Sequence, residues 1–252
     1  MKIQISGENG RFGRLFIKNA AKQNIRLEPS CYPSADCDVF IHLAAKSPLA
    51  SKAEIIHSNL SYLSDILAKI NPNTLLIFAS TISVYEHLNG LLDETLELRP
   101  SSIYAQSKKM GEELIKSFHS NHLIFRFPAI LADHSDLHLI ARLLKQCQQQ
   151  GLIKLTNADK PFNNFIHADD LSAFLISILS HQKLVNGVFN IAYEPVNSLK
   201  NLMLNLLSSD KVQCLDVPNS PHIIVSTERF TREFGRSFKL NTALFKAWAE
   251  QF

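Results

Sequence analysis

The chain has 252 residues, of which 46% are hydrophobic, and this is enough to bury a sizeable core. Its 26 Lys and Arg residues are scattered among 23 Asp and Glu residues, so the net charge of +3 excludes a basic nucleic-acid-binding stripe. No apolar run reaches the roughly 18 residues of a membrane helix, and the first residues lack a signal-like apolar segment; we therefore predict a cytoplasmic protein that binds neither nucleic acid nor membrane.

The first predicted elements are a strand over 2–6 and a helix over 12–22, joined by a glycine-rich turn. Gly7, Gly10 and Gly13 stand at positions i, i+3 and i+6 of this turn. Glycine permits positive φ and a close approach of backbone to a ligand, and the helix start offers unpaired N–H groups to a diphosphate. Tight-turn packing alone is the alternative interpretation, but the position between strand and helix favours a dinucleotide-binding turn.

Strands and helices continue to alternate along the rest of the chain. Further strands are predicted over 25–28, 38–43, 74–79, 122–127 and 188–191. Further helices are predicted over 52–70, 102–118, 137–150, 169–181 and 197–208, with a short amphipathic helix over 242–252. This alternation predicts an α/β fold in which helices cover both faces of a parallel sheet.

A tyrosine and a lysine share one face of the predicted helix over 102–118. Tyr104 and Lys108 are four residues apart, so the ammonium group can favour the phenolate. Thr81, just after the strand over 74–79, can polarise the same substrate oxygen. Such a trio can move a proton on or off a carbinol oxygen, which is one half of hydride-transfer chemistry. An amphipathic Tyr beside a snorkelling Lys would give the same spacing without catalysis.

Several motifs follow one another in a recognisable order. After the glycine turn come Ile-His-Leu-Ala-Ala at 41–45, Phe-Ala-Ser-Thr-Ile-Ser-Val-Tyr at 78–85, an acidic-to-Pro run at 93–100, Phe-Ile-His-Ala-Asp-Asp-Leu at 165–171 and Gly-Val-Phe-Asn-Ile at 187–191. Together with Tyr104 and Lys108, they resemble the extended short-chain dehydrogenase/reductase family, which contains NAD-dependent epimerases and dehydratases of nucleotide sugars. The ordered set is far more specific than any single motif.

The resemblance implies a Rossmann-like doubly wound parallel sheet with a small C-terminal substrate lobe. We expect residues 1–128 plus 162–192 to form the NAD(P)-binding domain, and residues 129–161 plus 193–252 to form the substrate lobe. One departure stands out, because only nine residues separate Glu28 from the next predicted strand. The family fold usually places another strand and helix there, so we predict that one β-α unit at the sheet edge is missing.

The resemblance also implies NAD or NADP as cofactor. The residues that it assigns to cofactor binding are Gly7, Asn9, Gly10, Arg11, Phe12, Gly13, Glu28, Leu43, Ala44, Ala45 and Phe127. Glu28, near the end of the second strand, would accept hydrogen bonds from the ribose 2′-OH of NAD. Arg11, Arg14 and Arg26 would equally meet the 2′-phosphate of NADP, and each of these charges also fits a solvated surface. The sequence therefore leaves the choice between NAD and NADP open.

In the reaction that the resemblance implies, Tyr104 is the general acid/base. Lys108 would lower the pKa of Tyr104 and bond the nicotinamide ribose, while Thr81 would hold the substrate oxygen. Ile82 and Ser83 stand where 4,6-dehydratases of the family carry Asp and Glu, so we expect no such elimination. The chain is therefore predicted to be an NAD(P)-dependent keto-sugar reductase or 4-epimerase.

The substrate residues are less clear. The resemblance assigns Ser83, Tyr85 and Ala129 to a small-molecule substrate, most simply a nucleotide-activated sugar, although Tyr85 fits the core equally well. Ala129, however, replaces an Asn that contacts the substrate diphosphate in the family, and the stretch at 163–164 is Asn-Asn where an Arg is usual. A smaller sugar or another carbonyl compound stays open. A catalytically weak or inactive cofactor-binding scaffold, or a redox sensor of the same fold, is the alternative function.

Neither metal nor disulfide chemistry is expected. His134 and His138 have a spacing that zinc sites use, but no third ligand is apparent, so we predict no metal site. The four cysteines show no metal-ligand spacing and are expected to be free thiols. The resemblance also implies a homodimer built from the helices over 52–70 and 102–118, although covering the sheet demands the same apolar residues.

Overall fold

The computed structural model describes residues 1–132, 138–179, 185–215 and 222–252. Its strands are β1 Ile3–Ser6, β2 Leu27–Pro29, β3 Val39–His42, β4 Leu75–Thr81, β5 Gly90–Leu92, β6 His122–Phe127, β7 Ala129–Leu131, β8 Ile153–Thr156, β9 Pro161–Phe162, β10 Phe165–His167, β11 Gly187–Asn190, β12 Asn197–Ser198, β13 Val212–Leu215 and β14 Ile223–Val225. Its α-helices are α1 Arg11–Lys22, α2 Lys52–Ile56, α3 Tyr62–Lys69, α4 Ile103–Phe118, α5 Leu139–Gln150, α6 Ala168–Ile178, α7 Leu199–Leu204, α8 Glu228–Phe234 and α9 Thr242–Ala249.

Short helical turns complete the described elements. A π-helical turn, His57–Ser61, joins α2 to α3, so the helix predicted over 52–70 is continuous but locally widened. Single 3₁₀ turns lie at Ile82–Tyr85 and Ser209–Lys211. The predicted helix over 197–208 is shorter than expected and ends at Leu204.

A six-stranded sheet organises the first compact unit, which comprises residues 1–87, 94–128 and 168–190. The strand order is β11-β6-β4-β3-β1-β2, and every neighbouring pair is parallel. α1 packs beside α6, and α4 packs beside α2 and α3. The doubly wound Rossmann-like fold is therefore confirmed. β2 forms the sheet edge and the chain returns directly to β3, so the extra β-α unit of the usual fold is absent from this edge.

Apolar runs explain why the central strands lie inside. β1, β3 and β6 are buried along their whole length, as expected for parallel strands covered on both faces. Aromatic side chains fill the space between sheet and helices, and those that are fully buried in this unit are Phe16, Phe40, Phe78, Phe125 and Phe189. The sheet is thus a rigid base for the loops at its carboxyl edge.

The second compact unit comprises residues 88–93, 129–167 and 191–252. It contains the parallel pairs β7–β10, β8–β13 and β5–β14 and the antiparallel pair β9–β12. Its boundaries differ from those expected from the sequence, because β10 pairs with β7 and β5 pairs with β14. Residues 162–167 and 88–93 therefore belong to this unit, although the sequence placed them in the cofactor domain. No helix of the described residues is both long and apolar enough to cross a membrane.

Candidate active site

The glycine turn after β1 is tightly closed. Gly7 has a φ of 86°, and its carbonyl oxygen accepts a 3.0 Å hydrogen bond from the Gly10 amide. A Cβ on Gly7 would lie 2.5 Å from the Ala44 nitrogen, and a Cβ on Gly13 would lie 2.2 Å from the Gly7 carbonyl oxygen. Only glycine fits at these two positions, so α1 begins directly against the turn.

The start of α1 is suited to an anion. Gly10 is its N-cap and supplies no side-chain hydrogen bond, and the first turn carries no acidic residue. The amides at this helix end therefore keep the positive end of the helix dipole uncompensated by side chains. Close backbone packing together with these amides fits the diphosphate of a dinucleotide, so this turn is suited to NAD or NADP.

The other residues predicted to bind cofactor surround the turn to different degrees. Leu43 and Ala44 follow β3, are half-buried and lie against Gly7, whereas Ala45 is exposed. Phe12 stacks on Phe16 at 5.7 Å between ring centroids and meets the edge of Phe127 at 6.3 Å. Thus Phe12 and Phe127 pack together on the helix side of the turn.

Polar residues predicted to bind cofactor lie at the surface. The Asn9 side-chain amide donates a 2.9 Å hydrogen bond to Glu8 Oε1. Glu28 on β2 is paired in register with Gln4, and its carboxylate lies 3.5 Å from Nε of the exposed Arg26. Arg11 and Arg14 are exposed on α1. Glu28, which is predicted to accept hydrogen bonds from the ribose, therefore already lies beside the positive charge of Arg26.

The structure brings Thr81 and Tyr104 together. Thr81 ends β4, and its Oγ1 accepts a 3.2 Å hydrogen bond from the Ser83 amide. The Tyr104 hydroxyl is hydrogen-bonded to the Thr81 side chain. Burial raises the pKa of Tyr104, and the bond to Thr81 opposes this only in part. The phenol is therefore protonated at neutral pH, and the expectation that Lys108 lowers its pKa stays a prediction.

Lys108 is fixed one helical turn further along α4. Its side chain is buried, and Nζ donates a 2.7 Å hydrogen bond to the Ala79 carbonyl, 4.8 Å from the centre of the Phe78 ring. Burial lowers the pKa of Lys108 to about 8, and the negative charge of Glu112 opposes this shift. Lys108 therefore stays largely protonated at neutral pH, but with a small margin.

Asn59 is a polar residue that the sequence analysis missed. It lies buried in the π-helical turn, where Oδ1 accepts a 3.1 Å hydrogen bond from the Lys46 amide and Nδ2 donates one of 3.0 Å to Ser107 Oγ. The Ser107 hydroxyl donates in turn to the carbonyl of Tyr104 at 2.8 Å. Asn59 thereby connects the loop after β3 to the first turn of α4. An asparagine among the apolar residues of a predicted helix was the available signal.

The residues predicted to bind substrate differ in how far they are buried. Ser83 is exposed, whereas Tyr85 is only 2% exposed. The Tyr85 hydroxyl donates to Asn190 Oδ1 at 2.9 Å and accepts from Arg126 Nη1 at 2.6 Å. The Tyr85 phenol therefore belongs to an internal polar network, as the core alternative expects, and its assignment to the substrate stays a prediction. Ala129 is half-buried at the start of β7 in the second unit.

The described residues lack a cluster of metal-ligating side chains. Within the described ranges, no group of three or more His, Cys, Asp or Glu side chains could hold a metal ion. His134 lies outside the described residues, so the predicted absence of a metal site stays a prediction. The four cysteines are free thiols, as predicted.

Comparison with known proteins gives a family match over the central part of the chain. A sequence model of the NAD dependent epimerase/dehydratase family matches residues 29–192. The uncharacterized UDP-glucose epimerase YtcB of Bacillus subtilis (strain 168) is 27% identical over 166 residues, which are 61% of this chain and 52% of that protein. The aligned part thus spans about half the length of this curated relative.

Solved structures share the fold over nearly their whole length. The UDP-glucuronic acid 4-epimerase of Bacillus cereus in complex with NAD has a TM-score of 0.78 at 18% identity, and the match covers 100% of this chain and 98% of that chain. RMD of Pseudomonas aeruginosa complexed with NADPH has a TM-score of 0.74 at 17% identity, with coverage of 100% and 98%. At these identities the likeness establishes a common fold.

Proposed function

Because the chain belongs to the NAD-dependent epimerase/dehydratase family, we propose that it is an NAD(P)-dependent keto-sugar reductase or 4-epimerase. One observation carries the proposal: the Tyr104 hydroxyl is bonded to Thr81, and the buried Lys108 lies one turn away on α4. The family and the sugar nucleotides named for its relatives support a nucleotide-activated sugar as substrate.

Two parts of the first unit would hold the cofactor. The amides at the start of α1 would bind the diphosphate, and Gly7 and Gly13 would let it approach the backbone. The backbone at Leu43 and Ala44 borders the same turn. When bound, NAD or NADP supplies the nicotinamide ring that accepts or gives a hydride.

The chain's own residues would handle the proton. Burial keeps Tyr104 protonated at neutral pH, so its hydroxyl is ready to donate a proton to a carbonyl oxygen. Thr81, already bonded to that hydroxyl, would hold the substrate oxygen at the same point. In the opposite direction Tyr104 accepts the proton of a carbinol. The positive charge of Lys108 would stabilise the phenolate formed in that step.

Elimination of water is excluded from the proposal by two side chains. A 4,6-dehydratase needs an acid and a base after the strand-end threonine. Here Ile82 is buried in the 3₁₀ turn and Ser83 is exposed, and neither carries a carboxyl group. Reduction of a keto-sugar and epimerisation at C4 need no such pair.

The proposal includes a homodimer built on the helices of the first unit. Ile56 of α2, Met110 of α4 and Phe118 at the end of α4 are 46%, 49% and 74% exposed. Exposed large apolar side chains on these neighbouring helices support association through this surface.

The experiment that tests the proposal measures cofactor binding and turnover separately. Purified wild-type protein and Tyr104→Phe are titrated with NADH and NADPH, then assayed with nucleoside-diphosphate sugars and keto-sugars. We expect Tyr104→Phe to bind cofactor as well as wild type and to lose about 10²–10⁴-fold in turnover, since a general acid is removed. Tyr32→Phe, which changes a tyrosine of the loop after β2, is the matched control and keeps its rate.

The alternative is an inactive cofactor-binding scaffold. It is favoured by the shortened sheet edge at β2 and by Ala129 in the place of a diphosphate-binding Asn. Cofactor binding without turnover on any of these sugars, and without a difference between wild type and Tyr104→Phe, would establish the scaffold and overturn the enzyme.

A further inference from the structure

The end of β4 is bonded to α4 at three successive residues. The three helix side chains stand one turn apart, and the pairs are Thr81 with Tyr104, the Ala79 carbonyl with Lys108, and Ser80 with Glu112. The Ser80 hydroxyl donates to Glu112 Oε1 at 2.5 Å. The proposed acid, the lysine and this carboxylate thus share one helix face and one strand end, which fixes the register between the two elements.

Glu112 is anchored on its other side by an ion pair. Arg126 of β6 donates from Nε to Glu112 Oε1 at 3.0 Å and from Nη2 to Oε2 at 2.7 Å. The two side chains are 3% and 1% exposed. Arg126 is also the register neighbour of Ser80 in the sheet and donates to the Tyr85 hydroxyl. The carboxylate is therefore held by two adjacent strands at once.

Stability alone does not explain a buried pair of charges. Replacing such a pair by apolar residues of similar volume is often neutral or stabilising, because desolvation of both ions is costly. A position that keeps both charges points to a role for the charge itself. Lys108, one helical turn away on α4, is a group that needs a negative charge, since burial works against its ammonium and Glu112 works for it.

The other groups that face Lys108 do not supply negative charge. Tyr104 on α4 is a protonated phenol, and His42 on β3 is neutral at physiological pH because burial and then the charge of Lys108 lower its pKa to about 3. From β4, Lys108 meets the carbonyl of Ala79 and the ring of Phe78. Among the described groups that act on Lys108, Glu112 is the one that favours its charged form through a negative charge, while the Ala79 carbonyl favours it as a hydrogen-bond acceptor.

We infer that Glu112, held by Arg126 and Ser80, is a positioning residue that keeps the Lys108 ammonium charged and in register with Tyr104 and Thr81. The inference rests on the proposed function, which gives Lys108 its task. It extends that function by naming a residue that acts through Lys108 and does not itself touch substrate.

The test follows the ionisation of Lys108 directly. Protein labelled with ¹³C at the lysine side chains is titrated by NMR without cofactor or substrate, and the Lys108 signal is assigned with Lys108→Arg. In Glu112→Gln we expect the titration midpoint of Lys108 to fall by about one pH unit or more, because an opposing charge is removed and the unpaired Arg126 adds repulsion. Glu113→Gln is the matched control, since Glu113 is exposed and pairs with Lys109 at 3.4 Å.

A double variant separates the charge effect from folding. In E112M/R126M the buried pair is replaced by apolar side chains, so the variant folds even if the unpaired Arg126 unfolds Glu112→Gln. We expect its Lys108 midpoint to be lowered too, but by less than in Glu112→Gln, because the repulsion from Arg126 is removed together with the carboxylate. Its unfolding free energy falls because Ser80 and the Tyr85 hydroxyl each lose a partner. A Lys108 midpoint equal to that of wild type in these variants would overturn the inference. Loss of turnover plays no part in this readout, so a failure of the proposed function is recognised separately in the Tyr104→Phe assay.

Discussion

Substitution of Gly13 by alanine tests whether the glycine turn is a cofactor site. A Cβ at this position would lie 2.2 Å from the Gly7 carbonyl oxygen and 3.1 Å from Glu8 Cα, and both neighbours are backbone. Alanine favours a helix interior by about 1 kcal/mol over glycine, whereas overpacking costs about 1–3 kcal/mol. Because backbone cannot swing aside as a flexible side chain would, we expect the upper end of that cost. The net loss in the free energy of unfolding is then about 1–2 kcal/mol.

The same displacement should weaken cofactor binding, because α1 must move away from the turn that would hold the diphosphate. We expect the dissociation constant for NADH or NADPH to rise by about tenfold or more, which corresponds to about 1.4 kcal/mol. Gly10→Ala is the matched control, since Gly10 has a φ of −67° and its Cβ would meet the same carbonyl at 3.1 Å. Calorimetric titration and urea unfolding measure both quantities. If Gly13→Ala binds cofactor as tightly as Gly10→Ala and unfolds no more easily, the steric argument is wrong.

Two further predictions concern the interior of the first unit. Tyr85→Phe removes the hydroxyl that bonds Arg126 and Asn190, so urea unfolding should show a loss of about 1–3 kcal/mol; an unchanged stability would contradict the buried network. His42 has a pKa of about 3 in the folded chain against 6.5 ordinarily, so its neutral form is favoured by folding. This contribution is complete above pH 6.5 and is lost as pH falls toward 3, by about 2 kcal/mol between pH 6.5 and 5. Urea unfolding across this range should be less pH-dependent in His42→Gln, and equal slopes would refute the assignment.

Much of the first unit was predictable, because its signals are local. The apolar runs of β3 and β4 are bounded by polar or turn residues, and parallel central strands bury both faces. The nine residues between Glu28 and Asp38 are too few for another strand and helix, so the shortened edge also followed from length. The pairing of β5 with β14 could not be predicted in this way, because it joins residues more than a hundred positions apart.

The sequence could indicate which residues lie together at the candidate site, but not the hydrogen bonds and ion pairs that set their charges. Spacing places Tyr104 and Lys108 on one helix face whatever surrounds them. The spacing does not report that Lys108 donates to the Ala79 carbonyl, or that Arg126 donates to the buried Tyr85 hydroxyl. Both facts depend on strands brought together only by the sheet. The role of Asn59 was hidden for the same reason, since its partners Lys46 and Ser107 come from separate elements.

The protonation of Tyr104 also bears on the choice between the two proposed reactions, keto-sugar reduction and 4-epimerisation. Reduction of a keto-sugar requires the phenol to give up a proton, and this is the form that burial stabilises. Epimerisation begins on a carbinol and requires the phenolate, which burial disfavours and which the charge of Lys108 would have to stabilise. We therefore propose that reduction is the favoured half of the proposed function, which leaves out elimination for lack of a carboxyl pair. Nucleoside-diphosphate keto-sugars with NADH and NADPH are therefore the substrates to assay first.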